Sequence, residues 1–257
     1  MNKLYLAGRV WLASDIHLGP DTPATARAFR VFLERARNEA DALILCGDIF
    51  DAWIGDDFAL RAPPAWLAST LDQFQQVSQS IPLWLGRGNR DFLIGRSLAQ
   101  QVGAQLLPDI VCLQTDFGAA LLSHGDEYCT ADVDYQRFRR VVRSPMVQRL
   151  FLALGLGIRR RIADWARQRS MAANQYKARD IMDVSGEAIE QAFRSTGLAT
   201  MVHGHTHKPA VHELLVDNAA RIRIVLPDWD YDHADTPRGG WLTIDETGFS
   251  LQQAVIP

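Results

Sequence analysis

Cysteine is scarce: Cys46, Cys112 and Cys129 are the only three in 257 residues, and no Cys-x-x-Cys pair occurs. An odd, scattered set excludes a disulfide framework and a thiolate zinc site, and a reducing cytoplasm is the expected compartment. Long apolar runs are missing too. None approaches the ~20 residues of a membrane span. The N-terminal stretch MNKLYLAGRVWLASD is too briefly apolar for a secretion signal, because Asp15 and His17 follow at once. Net charge is only -3, so no global attraction to polyanions is implied. Internal repeats and low-complexity linkers are absent. The length is ample for a sizeable core and suits one α/β domain with an insertion, or two small domains.

What is present is a recurring pattern. RVWLAS (9–14), DALILCGD (41–48), IPLWLGRGNRD (81–91), GAALLSHGDE (118–127) and LATMVHGHTH (198–207) each read as an apolar strand running into a polar turn. Helical spacing predicts helices over 24–40, with Phe29, Phe32 and Leu33 inward, and around 64–80. Late strands are predicted over 221–229, 239–246 and 249–255. In α/β sheets ligands bind beyond the carboxyl ends of the strands. Five strand ends near one crevice would deliver their polar residues to one place. Asp and Asn are poor strand residues and costly to bury without partners, so a core role does not account for them.

The densest turn carries His203, His205 and His207 at alternate positions, among only seven histidines in the chain. In extended backbone such side chains point the same way and can converge on a metal. A polar turn with incidental histidines is the other reading. The remaining turns add Asp15 and His17 (Asp-x-His), Asp48 and Asp51 (Gly-Asp-x-x-Asp), Asn89, Arg90 and Asp91 (Gly-Asn-Arg-Asp), and His124 and Asp126 (His-Gly-Asp). Carboxylate, amide and imidazole ligands without thiolate suit Mn, Fe, Co or Zn. Two such ions roughly 3.5–4 Å apart clamp a phosphoryl group and acidify a water. Asp51 and Asp126 could orient ligands from behind or cap local turns.

Each motif alone is weak; all five in this order resemble the calcineurin-like metallophosphoesterases. The resemblance implies a two-sheet β-sandwich flanked by helices around two divalent ions. Asp15, His17 and His207 would hold one ion, Asn89, His124 and His205 the other, and Asp48 would bridge both. His203 would not be a ligand. Members of this type commonly read Gly-Asn-His where this chain reads Gly88-Asn89-Arg90. Arginine is no general acid at neutral pH, but it can contact phosphate oxygens and stabilise developing charge. A diphosphate, whose leaving phosphate needs less protonation, suits that change.

Longer stretches narrow the resemblance: GDIFDAWIGDD (47–57), GNRDFLIG (88–95), HGDEYCTADVDYQRFRR (124–140) and NQYKARDIMDV (174–184). They are similar to the lipid A pathway pyrophosphohydrolases that cleave UDP-2,3-diacylglucosamine at the α-phosphate. That implies manganese, a peripheral position on the cytoplasmic face of the inner membrane, and substrate contacts at Asn89, Arg90, Asp132, Ser170, Asn174, Lys177 and His205. Asp132 could equally cap a helix, and Ser170, Asn174 and Lys177 could equally form a solvated helix face. A nucleotide pyrophosphatase or phosphodiesterase on the same scaffold, and a metal-free binding module, are the rival readings.

Segment 128–190 breaks the strand rhythm and reads as an inserted helical cap between core segments 1–127 and 191–257. From 137 to 179 it holds twelve Lys or Arg and one acid, Asp164. Aromatic residues are sparse among these charges, so nucleic acid is not the expected partner. MVQRLFLALGLGI (146–158) is apolar nearly throughout and is followed by Arg159, Arg160 and Arg161. Gly155 and Gly157 argue against one long helix. The segment could be a buried helical hairpin or line a chamber for acyl chains at a membrane surface, and the two are compatible, since one face can pack while the other lines the chamber.

Overall fold

Strands that are apolar at every position are covered on both faces. Val10–Ala13 and Ala42–Leu45 are of this kind, and all eight residues are buried. The computed structural model, which describes residues 1–174 and 183–254, shows why. In chain order its elements begin β1 (Asn2–Leu6), β2 (Val10–Ala13), α1 (Pro23–Glu39), β3 (Ala42–Leu45), α2 (Asp56–Arg61), α3 (Ala65–Ser78), β4 (Leu83–Leu85), α4 (Arg96–Gln101) and β5 (Gln105–Leu106). There follow β6 (Ile110–Thr115), β7 (Gly118–Ser123), α5 (Val133–Val142), α6 (Pro145–Leu152), α7 (Leu156–Asn174) and α8 (Gly186–Thr196). The chain closes with β8 (Thr200–His203), β9 (Ala210–Val216), β10 (Ala219–Val225), β11 (Gly240–Asp245) and β12 (Gly248–Gln253).

Two six-stranded sheets result, ordered β12-β11-β2-β3-β4-β5 and β1-β6-β7-β8-β10-β9. Alternation sorts the side chains. Val10, Leu12 and Ile44 pack between the sheets with Val111, Leu113, Leu122, Val202 and Ile244. Their neighbours Trp11, Ala13, Leu43 and Leu45 face outward and are covered by Phe29, Phe32, Leu67 and Phe74 of α1 and α3. On the far side Ile189 and Phe193 of α8 cover Leu121 and Met201. The layers are helix, sheet, sheet, helix, as expected for a two-sheet sandwich flanked by helices. All three cysteines are buried and none is in a disulfide.

The inserted segment behaves differently. Helices α5 and α6 bury none of their residues fully. Of the 146–158 segment, Phe151 of α6 packs part-buried against the core, so one face packs while the rest of α6 is not a buried hairpin core. The expected break is present: α6 ends at Leu152 and α7 starts at Leu156, with Gly155 between. Polar anchors attach this segment to the core. Arg139 Nε donates to Asp126 at 2.7 Å, and Arg143 Nη2 to the Gly88 carbonyl at 3.0 Å. Arg159, only 2 % exposed, donates to the Ile54 carbonyl at 2.6 Å and pairs with Asp57. Helix α8 spans the proposed boundary at 190, and its apolar face packs on the core sheet.

Candidate metal centre

Strands β2, β3, β4, β7 and β8 all end at one edge of the sandwich, and their loops are knitted by backbone hydrogen bonds. Asp15 N donates to the Gly47 carbonyl at 3.1 Å, His17 N to Asp48 O at 3.0 Å, and Gly204 N to His124 O at 2.9 Å. Among the described residues, seven other than glycine have positive φ. Asp217 and Asn218 form the β9–β10 turn; the rest are Asp15, His17, Asp48, His205 and His207. Such backbone is strained for these residue types and persists only where the surroundings over-determine it. Gly88 and Gly204 serve close approach. A Cβ on Gly88 would lie 2.1 Å from Asp48 Oδ1, and one on Gly204 2.2 Å from Asp15 Oδ2.

The donor atoms gather in two trios. In the first, His17 Nε2 and His207 Nε2 are 3.3 Å apart, and Asp15 Oδ1 is 3.4 Å from His207 Nε2 and 4.0 Å from His17 Nε2. In the second, Asn89 Oδ1 is 3.1 Å from His124 Nε2 and 2.9 Å from His205 Nδ1. Asp48 Oδ2 lies between them, 3.9 Å from His17 Nδ1 and 3.8 Å from His124 Nε2. Donors sharing one ion at ~2.1 Å sit about 3 Å apart when adjacent and up to about 4.2 Å when opposed, so the spacings in each trio suit one cation. Asp15, His17 and His207 form one metal-capable cluster of acidic and imidazole groups, and Asp15, Asp48 and His124 form another.

Two further observations support the fit. Asp15 Oδ1 is buried without a hydrogen-bond partner. The charges are also unbalanced: burial, with Asp91 and Asp15 adding to it, pushes the Asp48 carboxyl up to about 7. Burial holds His17 near 3 and His205 near 4, so both are neutral imidazoles with a lone pair to give. His207 goes the other way. Burial opposes its charge, but the Asp15 and Asp228 carboxylates on either side of the ring outweigh it and raise it to about 10. Its Nδ1 is 3.2 Å from Asp228 Oδ2, which orients the ring and leaves Nε2 facing Asp15.

The residues behind the donors have distinct tasks. Asp91, fully buried, accepts from the backbone N–H groups of Asp48, Ile49, Phe50 and Gly88, so one carboxylate fixes two ligand loops. Asp228 is held in turn by Arg238. No role for either follows from motif reading, although Asp228 also stands just beyond a strand, in LPDW, and that was a usable signal. Asp51 accepts from Arg90 Nη1 at 2.6 Å, which makes it a partner of Arg90. Arg90 also donates its backbone N–H to Asp48 Oδ1 at 2.8 Å. Asp126 accepts from Tyr135 Oη at 2.6 Å and from Arg139. Asp132 caps α5 by accepting from Tyr135 N at 3.1 Å. Ser170 and Asn174 lie in the last turns of α7, and Lys177 lies outside the described residues.

A family model described as calcineurin-like phosphoesterase matches residues 8–209, a span that contains both trios. The chain belongs to the calcineurin-like phosphoesterase family. Within it, the chain is 58 % identical over 248 residues to a Bordetella parapertussis protein named UDP-2,3-diacylglucosamine hydrolase, covering 96 % of each. Proteins of the same name from Serratia proteamaculans (43 % over 229 residues, 89 % of this chain and 91 % of that one) and Pseudomonas fluorescens (40 % over 244 residues, 94 % of each) are also similar. Calcineurin-like membership agrees with the two-sheet fold and with divalent metal at the trios.

Proposed function

We propose that this phosphoesterase hydrolyses UDP-2,3-diacylglucosamine at its α-phosphate, giving UMP and 2,3-diacylglucosamine 1-phosphate. The observation that carries the reading is the pair of donor trios with Asp48 between them. The name borne by relatives as similar as 58 % along the chain supplies the substrate. Asp15, His17 and His207 would hold one ion, Asn89, His124 and His205 the other, with Asp48 shared; manganese suits this donor set. Bound ions supply Lewis acidity and an acidified water.

The chain's own residues do the rest. Arg90 is steadied by Asp51 through Nη1, which leaves Nη2 for a phosphate oxygen. Water, giving up a proton to solvent, adds its oxygen to the α-phosphorus, the bond to the bridging oxygen breaks, and the electron pair leaves on the sugar 1-phosphate. That leaving group carries its charge without being protonated, which fits an arginine at position 90. Asp132, Ser170, Asn174 and Lys177 are proposed to meet the glucosamine and its phosphate, beside His205.

The cap supports a lipid substrate. Met146 and Leu150 are 68 % and 65 % exposed, with Leu152, Leu154, Ile158 and Ile162 also exposed. Arg149, Arg160 and Arg161 are interleaved with them. No helix among the described residues is long and apolar enough to cross a membrane. Apolar side chains edged by arginine suit peripheral attachment to an anionic inner-membrane surface.

The test is UMP release from UDP-2,3-diacylglucosamine in detergent, with and without Mn2+, for the natural chain and Arg90→Ala. Metal-dependent release that falls steeply in the variant is expected. Two bound ions without release, or equal turnover of soluble dinucleotides, would discard this substrate.

A further inference from the structure

His203 takes no part in either trio, and its surroundings indicate its task. It closes β8 and is fully buried. Nδ1 lies 2.8 Å from the Gly204 carbonyl oxygen, and Nε2 lies 3.1 Å from Arg223 Nη1. A guanidinium only donates and a carbonyl only accepts, so the ring is neutral with its proton on Nδ1. The accepting carbonyl belongs to the Gly204–His205 peptide. The N–H of that same peptide donates to Asp15 Oδ2 at 2.9 Å. The peptide plane is therefore pinned at both ends, and it sets the left-handed backbone of His205, φ 68°.

The ring also meets the other ligand loop. Gly125 follows His124 directly, with φ 113°, and a Cβ there would lie 2.8 Å from His203 Nδ1. His203 thus fills the space where the loops carrying His124 and His205 meet. We propose that His203 is a positioning residue that sets the separation of His124 and His205, and so the affinity of the second trio for its ion, with Arg223 selecting the tautomer. This rests on the metal-centre reading above.

Manganese titration of the full chain tests it, followed by calorimetry and by the electron paramagnetic resonance signal of a coupled Mn2+ pair. His203→Leu fills the space without a donor; His203→Asn keeps a donor near the Nδ1 position. In the Leu variant the first ion should bind as before and the second ~10–100-fold more weakly, with the coupled signal replaced by that of isolated Mn2+. The Asn variant should restore most of the loss. Unchanged binding of both ions by His203→Leu, or an Asn variant as weak as Leu, overturns the proposal. Should the Leu variant not fold, Arg223→Met, at a half-buried position, should weaken the second ion alone, and no change there overturns it equally. A natural chain that binds no pair would refute the metal-centre reading instead.

Discussion

Around Asp15, Asp48 and Asn89 the polypeptide grips itself, whereas helices α5 and α6 bury no residue fully. In the first region a single carboxylate, Asp91, collects four backbone N–H groups, and five residues are held at positive φ. In the second, Arg139 and Arg143 of the α5 end reach out to a carboxylate and a carbonyl of the core while Met146 and Leu150 face outward. Chemistry at phosphorus needs donors held within about half an ångström, and only a strained, fully bonded framework does that. Gathering an apolar substrate needs area and shape, which surface helices supply with little internal packing.

Substitutions can break this contrast, and the largest effect is expected at Asp48. Asp48→Asn keeps the shape and removes the charge shared between the trios. Metal analysis should find at most one tightly bound ion, with turnover down on the order of 10³-fold or more. A variant that retains both ions and full turnover would refute the bridging role. Next comes Arg90→Ala, expected to lower kcat ~10²–10³-fold with both ions retained. Arg90→Lys should recover only part, because an ammonium lacks the planar fork.

The cap anchor should give a smaller, asymmetric effect. Asp57→Ala leaves the buried Arg159 guanidinium without its carboxylate and should cost about 3 kcal/mol of stability, against ~1–2 for Arg159→Met. Denaturant melts of the two variants, with metal content measured alongside, check this, and equal costs would refute the asymmetry. The hydrogen bond from Arg159 holds Asp57 below its ordinary 3.8. The pair therefore stabilises fully above pH ~4 and loses its contribution as pH falls through the depressed folded value. The gap between the natural chain and Arg159→Met should close in acid. The smallest effect is at Leu150→Asp, with stability within about 0.5 kcal/mol and visibly weaker partition onto anionic vesicles. Unaltered, salt-independent partition would leave the exposed apolar face without the proposed use.

Much of the core was legible because its strands are short apolar runs that stop abruptly at Asp, Asn or His, and because each predicted strand end pairs a local pattern with a chemical residue type. β1, β5, β6 and β9 went unpredicted. β1 pairs in parallel with β6, more than a hundred residues away, and β9 has one solvent-facing side, so neither carries a decisive local signal. Helix α8 shows the same limit: its spacing is helical, but only the sheet beneath it assigns its face to the core.

The sequence by itself determined which donor types are available, in what order, and that thiolate chemistry is excluded, since these are properties of residues and spacing. Only the tertiary structure decided that Asp48 lies between two trios, that Asp91 and Asp228 hold the loops and a ligand, and that the apolar cap segment faces outward. Those facts depend on backbone groups and side chains distant in sequence meeting at one sheet edge, and no local pattern encodes such meetings.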